Sequence, residues 1–156
     1  QCHGSDAKGS PGFPNLSDND WLWGGTPEAI THTITEGRHG IMAPLAAAVT
    51  PAEADAIAHY VRSLSGLSSD PTIAPLGQQK FATVCAACHG ADAKGNQLLG
   101  APNLTDSIWL NSSSRETIVK TILEGRTGTM PAQKSVLTTE QIRMLAAYVW
   151  GMSNNK

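Results

Sequence analysis

Cys85-Ala86-Ala87-Cys88-His89 is a C-x-x-C-H string. Two thiols one helical turn apart can each add to a vinyl group of one porphyrin and become thioethers. The histidine that follows then points its imidazole at the iron from one face. This is the attachment chemistry of a c-type haem. A redox-active C-x-x-C, or half of a zinc site, would use the same residues, but the rest of the chain fits haem.

The third cysteine is informative because three is an odd number. Cys2-His3 reads as the tail of a second C-x-x-C-H whose first cysteine lies just ahead of Gln1. The expectation is therefore a fragment cut inside its first haem motif, with Cys2 and His3 equivalent to Cys88 and His89. A stray terminal Cys-His pair is the plainer alternative, and the repeat below argues against it.

The elements that must position these residues are written twice. Cys2-His3-Gly4-Ser5-Asp6-Ala7-Lys8-Gly9 returns as Cys88-His89-Gly90-Ala91-Asp92-Ala93-Lys94-Gly95. After two extra residues the offset settles at 88, so that Pro14-Asn15-Leu16 matches Pro102-Asn103-Leu104. Trp21-Leu22 matches Trp109-Leu110, Glu36-Gly37-Arg38 matches Glu124-Gly125-Arg126, Met42 matches Met130 and Tyr60-Val61 matches Tyr148-Val149. Self-similarity of this extent means two copies of one unit. Pro27 at a first helical position, Ile30 and Ile34 inward and a stop at Gly37 predict a short helix, copied from about Arg115 to Glu124. Capping boxes at Thr50-Pro51-Ala52-Glu53 and Thr138-Thr139-Glu140-Gln141 open two more helices. Ala54, Ile57, Ala58 and Val61 keep one face of the first, and Ile142, Leu145, Ala146 and Val149 one face of the second. A further helix over Leu76 to Val84 leads into the second motif. Its equivalent ahead of Cys2 is expected upstream, packed near Tyr60. No segment shows sustained strand alternation, so the expected class is all-α. It comprises two tandem small helical domains at 1–66 and 76–156, joined by a Ser/Gly/Pro-rich linker at 67–75, each wrapped around one covalent haem.

The 156 residues hold only 5% aromatics and 15% charged residues, thin resources for two small cores unless a large apolar group such as a haem fills them. The net charge is -2 with no basic run, which argues against a nucleic-acid partner. No stretch approaches a membrane span, and no leader pattern opens the chain.

An iron held by one histidine needs a sixth ligand or stays open to a reactant. Met42 and Met130 are the methionines at matching positions, each on a loop after a Gly-Arg turn, and each is assigned to the histidine of its own repeat. A His/Met pair raises the potential and leaves an iron that passes electrons. Core filling is the alternative role for a methionine, and it suits Met144 and Met152, which have no counterparts. Pro14 and Pro102 are candidates to accept from Nδ1 of His3 and His89 through their carbonyls. Trp21, Trp109, Arg38 and Arg126 are candidates for haem propionates, against core packing for the tryptophans and a solvated face for the arginines. His32, His39 and His59 have no counterparts and read as surface residues.

C-H-G-x-D-A-K-G, P-N-L-[S/T]-D-x-x-W-L, E-G-R and the methionine loop, twice in tandem, resemble the dihaem cytochrome c subunit (subunit III) of cbb3-type cytochrome c oxidases. The resemblance covers 1–153, and Asp18-Asn19-Asp20-Trp21-Leu22-Trp23-Gly24-Gly25 is its most specific stretch. It implies two haem c groups and a module on the periplasmic face of the bacterial inner membrane, anchored by a helix upstream of this chain. Such a module is not itself an enzyme. It takes electrons from a soluble donor cytochrome c and passes them to the catalytic subunit, alongside a monohaem cytochrome c subunit. A free or differently docked dihaem cytochrome c is the nearer alternative, and a dihaem peroxidase the more distant one. The chain departs from the repeat at Asn111-Ser112-Ser113-Ser114, which replaces Trp23-Gly24-Gly25-Thr26. It departs again at Ala43, which stands where Pro131 follows Met130.

Overall fold

A computed structural model describes residues 2–154. Its elements, in chain order, are α1 (Pro27–Glu36), β1 (Arg38–Met42), α2 (Pro51–Leu64), α3 (Ala74–Val84), α4 (Ala86–His89), α5 (Arg115–Glu124), β2 (Arg126–Met130) and α6 (Thr139–Asn154). The helices start and stop where side chains supply the missing partners. Thr26 and Ser114 accept from the backbones of Ala29 and Thr117 to cap α1 and α5. Gly37 and Gly125 end these helices at φ of 74° and 72°, a left-handed turn that glycine makes without a Cβ penalty. Both capping boxes form. Thr50 and Glu53 satisfy each other's backbone N–H groups, and Thr138 exchanges equivalent bonds with Gln141.

The expectation of a purely helical chain needs one correction. β1 and β2 pair as a two-stranded sheet. Their sequences, RHGIM and RTGTM, are too short and too polar to show a strand period.

The compact units do not follow the repeats. One unit joins residues 1–40 to 128–156, and the other is residues 41–127. In the first, α1 packs on α6, and Ile30, Ile34, Ile142, Ala146 and Val149 make the core. In the second, α2 packs on both α3 and α5, with Val49, Ala54, Ile57, Ala58, Val61, Phe81, Cys85, Ala93, Ile118 and Ile122 at its centre. The C-terminal helices of the two repeats are thus exchanged. The tandem division into 1–66 and 76–156 describes the repeat, and packing cuts across it. The physical reason lies in the repeat itself: α2 and α6 carry the same apolar stripe, so each can seal against α1 or α5.

Two further expectations change with this exchange. Residues 67–75 connect two packed helices of one unit, α2 and α3, instead of bridging two domains. Asp70 orders the turn by accepting from the Thr72 backbone and hydroxyl at 2.8 and 2.7 Å, bonds that hold its carboxyl below the usual range. The Tyr60 face expected to receive an upstream helix is taken by α3, whose Phe81 meets Tyr60 edge-on at 5.4 Å between ring centroids. Gly77 lets the two backbones touch, since a Cβ there would lie 1.9 Å from the Ala56 carbonyl oxygen. The matching face of α6 is uncovered among the described residues. Leu145, predicted inward, is 41% exposed, whereas its counterpart Ile57 is 1% exposed.

Two outcomes check this packing. Gly77→Ala forces α2 from α3 and costs ~3 kcal/mol in chemical denaturation, whereas Gly128→Ala, with open space around it, leaves the midpoint nearly unmoved. Thr50→Ala removes the cap of α2 and costs ~1 kcal/mol at neutral pH. The Glu53 carboxyl is held down to about 2, first by the Thr50 backbone N–H and then by Lys80 and the Thr50 hydroxyl. A depressed carboxyl stabilises above its unfolded value of 4.5 and loses that contribution as pH falls toward 2. The wild-type advantage over Thr50→Ala therefore narrows across that window, read by thermal melts at stepped pH.

Candidate functional site

Each haem-type histidine is held by a loop that folds back on it. After His89, the Gly95 N–H donates to the His89 carbonyl at 2.8 Å, and Gly9 does the same to His3 at 2.8 Å. Ala7 and Ala93 sit at φ of 60° and 59°, where a non-glycine residue is strained. In return their carbonyls accept from Leu16 and Leu104, at 2.8 Å each. These bonds bring Pro14 and Pro102 under the imidazoles. His3 Nδ1 lies 2.8 Å from the Pro14 carbonyl oxygen and His89 Nδ1 lies 3.1 Å from that of Pro102. A carbonyl only accepts, so Nδ1 carries the proton and Nε2 presents its lone pair. Burial lowers the His89 pKa, opposed by the Pro102 bond, which favours the neutral imidazole that binds a metal.

The cysteines fit thioether attachment better than the other uses of C-x-x-C. Cys85 is buried at the end of α3, while Cys2 and Cys88 are exposed, and all three are thiols without a disulfide. Burial, with Cys88 nearby, pushes the Cys85 thiol up to about 11. A redox-active C-x-x-C needs the reverse shift. Among the described residues no three His, Cys, Asp or Glu side chains converge on one point.

Trp109 supplies an independent indication of a missing partner. Its Nε1 is the one buried side-chain polar atom among the described residues with no hydrogen-bond acceptor. An unpaired buried donor costs about 1–3 kcal/mol, and a haem propionate is an acceptor of the right kind. Trp21 packs on the α1–α6 core, and Gly25 lies so close to its ring that a Cβ would sit 2.4 Å from the indole nitrogen.

Arg38 and Arg126 are anchored to their own repeats. Each donates to a helix threonine at 2.9 Å, Arg38 to Thr33 and Arg126 to Thr121. Beyond that their anchors differ where the sequence departs from the repeat. Arg38 stacks over Trp23 at 4.9 Å from the ring centroid, while Arg126 donates to Asn111, the residue that replaces Trp23, at 3.0 Å. Ser114 of the same run caps α5. Sequence reasoning missed Trp23 and Asn111 as arginine anchors. The signal was present in their equivalent positions, one aromatic and one amide, each with an arginine fifteen residues on.

The remaining histidines do not gather at either site. His59, predicted on the surface, is half-buried and accepts from the Asp70 backbone N–H at 2.9 Å, which ties the α2–α3 turn. His39 is exposed beside Thr129 at 2.8 Å, and His32 is exposed.

The two methionines belong to different units. Met42 packs on the core of residues 41–127, as do Val84, Ala86, Leu104 and Trp109, and that core includes buried Cys85 and Ala93. Met130 packs on the α1–α6 core with Leu16 and Trp21. Each methionine therefore shares a unit with the histidine of the other repeat.

Comparison with known proteins agrees with the motifs. The family described as cytochrome c oxidase, cbb3-type, subunit III matches residues 1–61 and 74–149. The chain is 56% identical over 154 residues to the cbb3-type cytochrome c oxidase subunit CcoP of Rubrivivax gelatinosus, covering 98% of this chain and 50% of that protein. It is 45% identical over 166 residues to the subunit FixP of Bradyrhizobium sp. (strain ORS 278), covering 99% and 57%. To the CcoP of Cereibacter sphaeroides it is 40% identical over 167 residues, covering 100% and 58%. The chain thus spans about half the length of the curated relatives it matches. Among the described residues no helix is long and apolar enough to cross a membrane.

Trp109→Phe removes the partnerless donor. In the haem-loaded protein it should shift the pH dependence of a haem midpoint potential. Identical titrations for variant and parent would deny the indole this role.

Proposed function

This chain belongs to the subunit III family of cbb3-type cytochrome c oxidases, and we propose that it works there as a dihaem electron-entry module. It accepts electrons from a soluble donor cytochrome c and relays them toward the catalytic subunit, in company with a monohaem cytochrome c subunit. It carries two haem c groups. One is attached to Cys85 and Cys88, and the other to the motif that holds Cys2 and His3. His3 and His89 would hold the irons through their imidazoles, with Met42 and Met130 supplying the thioether ligands. The module faces the periplasm, and a helix upstream of this chain holds it to the inner membrane.

The observation that carries this reading is the pair of imidazole–carbonyl bonds, His3 to Pro14 and His89 to Pro102. They recur at equivalent positions beside the two Cys-His pairs. A bound haem supplies a one-electron iron couple. The protein's own groups do the rest. The proline carbonyl orients the imidazole and raises its basicity. A methionine thioether is a soft ligand that favours the reduced metal and raises the potential. Held by both a histidine and a methionine, each iron would keep no site for a reactant, which separates an electron relay from a peroxidase. The Trp109 indole N–H, buried without an acceptor, supports its role as a donor to a propionate.

A pyridine haemochrome assay on the full-length chain returns two covalent haems per polypeptide, and a redox titration resolves two one-electron steps with negligible peroxide turnover. One haem per chain, or rapid peroxide consumption with a high-spin resting iron, contradicts the proposal.

A further inference from the structure

We propose that the sixth ligands are exchanged between the repeats: Met42 serves the haem held by Cys85, Cys88 and His89, and Met130 serves the haem held by His3. This rests on the dihaem reading above and adds to it which sulfur faces which imidazole. The repeat by itself suggests the opposite, one complete His/Met pair per half.

Three kinds of observation converge. The first is main-chain pairing. The Leu45 N–H, three residues after Met42, donates to the Ile122 carbonyl at 2.9 Å. Gln133, three residues after Met130, donates to the Ile34 carbonyl at 2.9 Å. Leu45 and Gln133 are equivalent positions, as are Ile34 and Ile122. Pairing within a repeat would join Leu45 to Ile34. Each methionine loop is instead tied to the helix of the other repeat, and both ties are made.

The second is close approach at the methionine backbone itself. A Cβ on Gly125 would lie 2.6 Å from the Met42 carbonyl oxygen, and one on Gly37 would lie 2.4 Å from that of Met130. The glycine that ends each helix of the α1/α5 pair therefore sits against the methionine of the other repeat.

The third is continuity from motif to sulfur within each unit. The His89 loop is bonded to Pro102 and, through Ala93, to Leu104. Ala93 and Cys85 lie inside the core on which Leu104 and Met42 pack. The His3 loop is bonded to Pro14 and, through Ala7, to Leu16. Leu16 packs on the core that also receives Met130. Each methionine has one place in the chain's packing, and that place is in the unit of the other repeat's histidine.

The consequence is that neither redox centre belongs to one repeat. Replacing Met42 acts on the haem of the second motif, and replacing Met130 acts on that of the first.

The test uses the full-length chain with Cys85→Ala and Cys88→Ala, which leaves one covalent haem, at the first motif. The oxidised protein should show the methionine–iron charge-transfer band. The band should survive a further Met42→Ala and vanish with Met130→Ala. Loss with Met42→Ala and survival with Met130→Ala would overturn the exchange. Should the double cysteine variant not fold, methyl-labelled methionine NMR of the reduced dihaem chain decides the matter. The ring-shifted Met42 methyl should show Overhauser contacts to the haem whose thioether bridges come from Cys85 and Cys88, and contacts to the other haem would overturn the proposal. A parent chain with no charge-transfer band and no ring-shifted methionine methyls would overturn methionine ligation itself, a result distinct from either pattern of assignment.

Discussion

Two main-chain hydrogen bonds, Leu45 to Ile122 and Gln133 to Ile34, fix how the repeated chain is assembled. They tie each methionine loop beneath the helix of the other repeat, and the C-terminal helices α2 and α6 follow their loops. Once the loops are tied, the two cores are determined: α2 seals α3 and α5, and α6 seals α1. Exchange of this kind costs little because each apolar stripe trades one partner for a chemically equivalent one. Ile57 and Val61 bury against one unit as Ala146 and Val149 bury in the other.

Within each unit the imidazole beside the Cys-His pair is held by a small set of polar bonds on a strained loop. Ala93 is fully buried in the left-handed region, a conformation held by the bonds of its neighbours and not by its own preference. The strain places a proline carbonyl at the imidazole, and that bond decides which ring nitrogen faces outward. The paired repeats then diverge only around the arginines. A stacked tryptophan does for Arg38 what an asparagine amide does for Arg126. On the proposed dihaem reading, two sites with the same ligand types would thereby acquire different surroundings, a means of setting two potentials.

Much of this was legible before any coordinates. The haem motif, the duplication, both capping boxes and the ends of α1 and α5 are local signals, each contained in a few residues. The proline carbonyls were legible too, because the repeat singled out Pro14 and Pro102. Partner choice was not. An apolar stripe such as Ala54-Ile57-Ala58-Val61 declares that a face is buried, and an exact repeat offers it two equivalent faces to cover. Leu145 shows the same limit from the other side: its periodicity is that of Ile57, but no described helix lies over it. Strands β1 and β2 escaped because pairing, not composition, makes them. His59 escaped because its partner is a backbone N–H eleven residues away, a tie that no side-chain pattern records.

The assembly of each iron site from both repeats is tested most directly by a crystal structure of the haem-loaded, full-length chain, with the irons located by anomalous scattering. The sulfur of Met42 should stand opposite His89 on one iron and that of Met130 opposite His3 on the other. Met42 opposite His3, with Met130 opposite His89, would contradict the account.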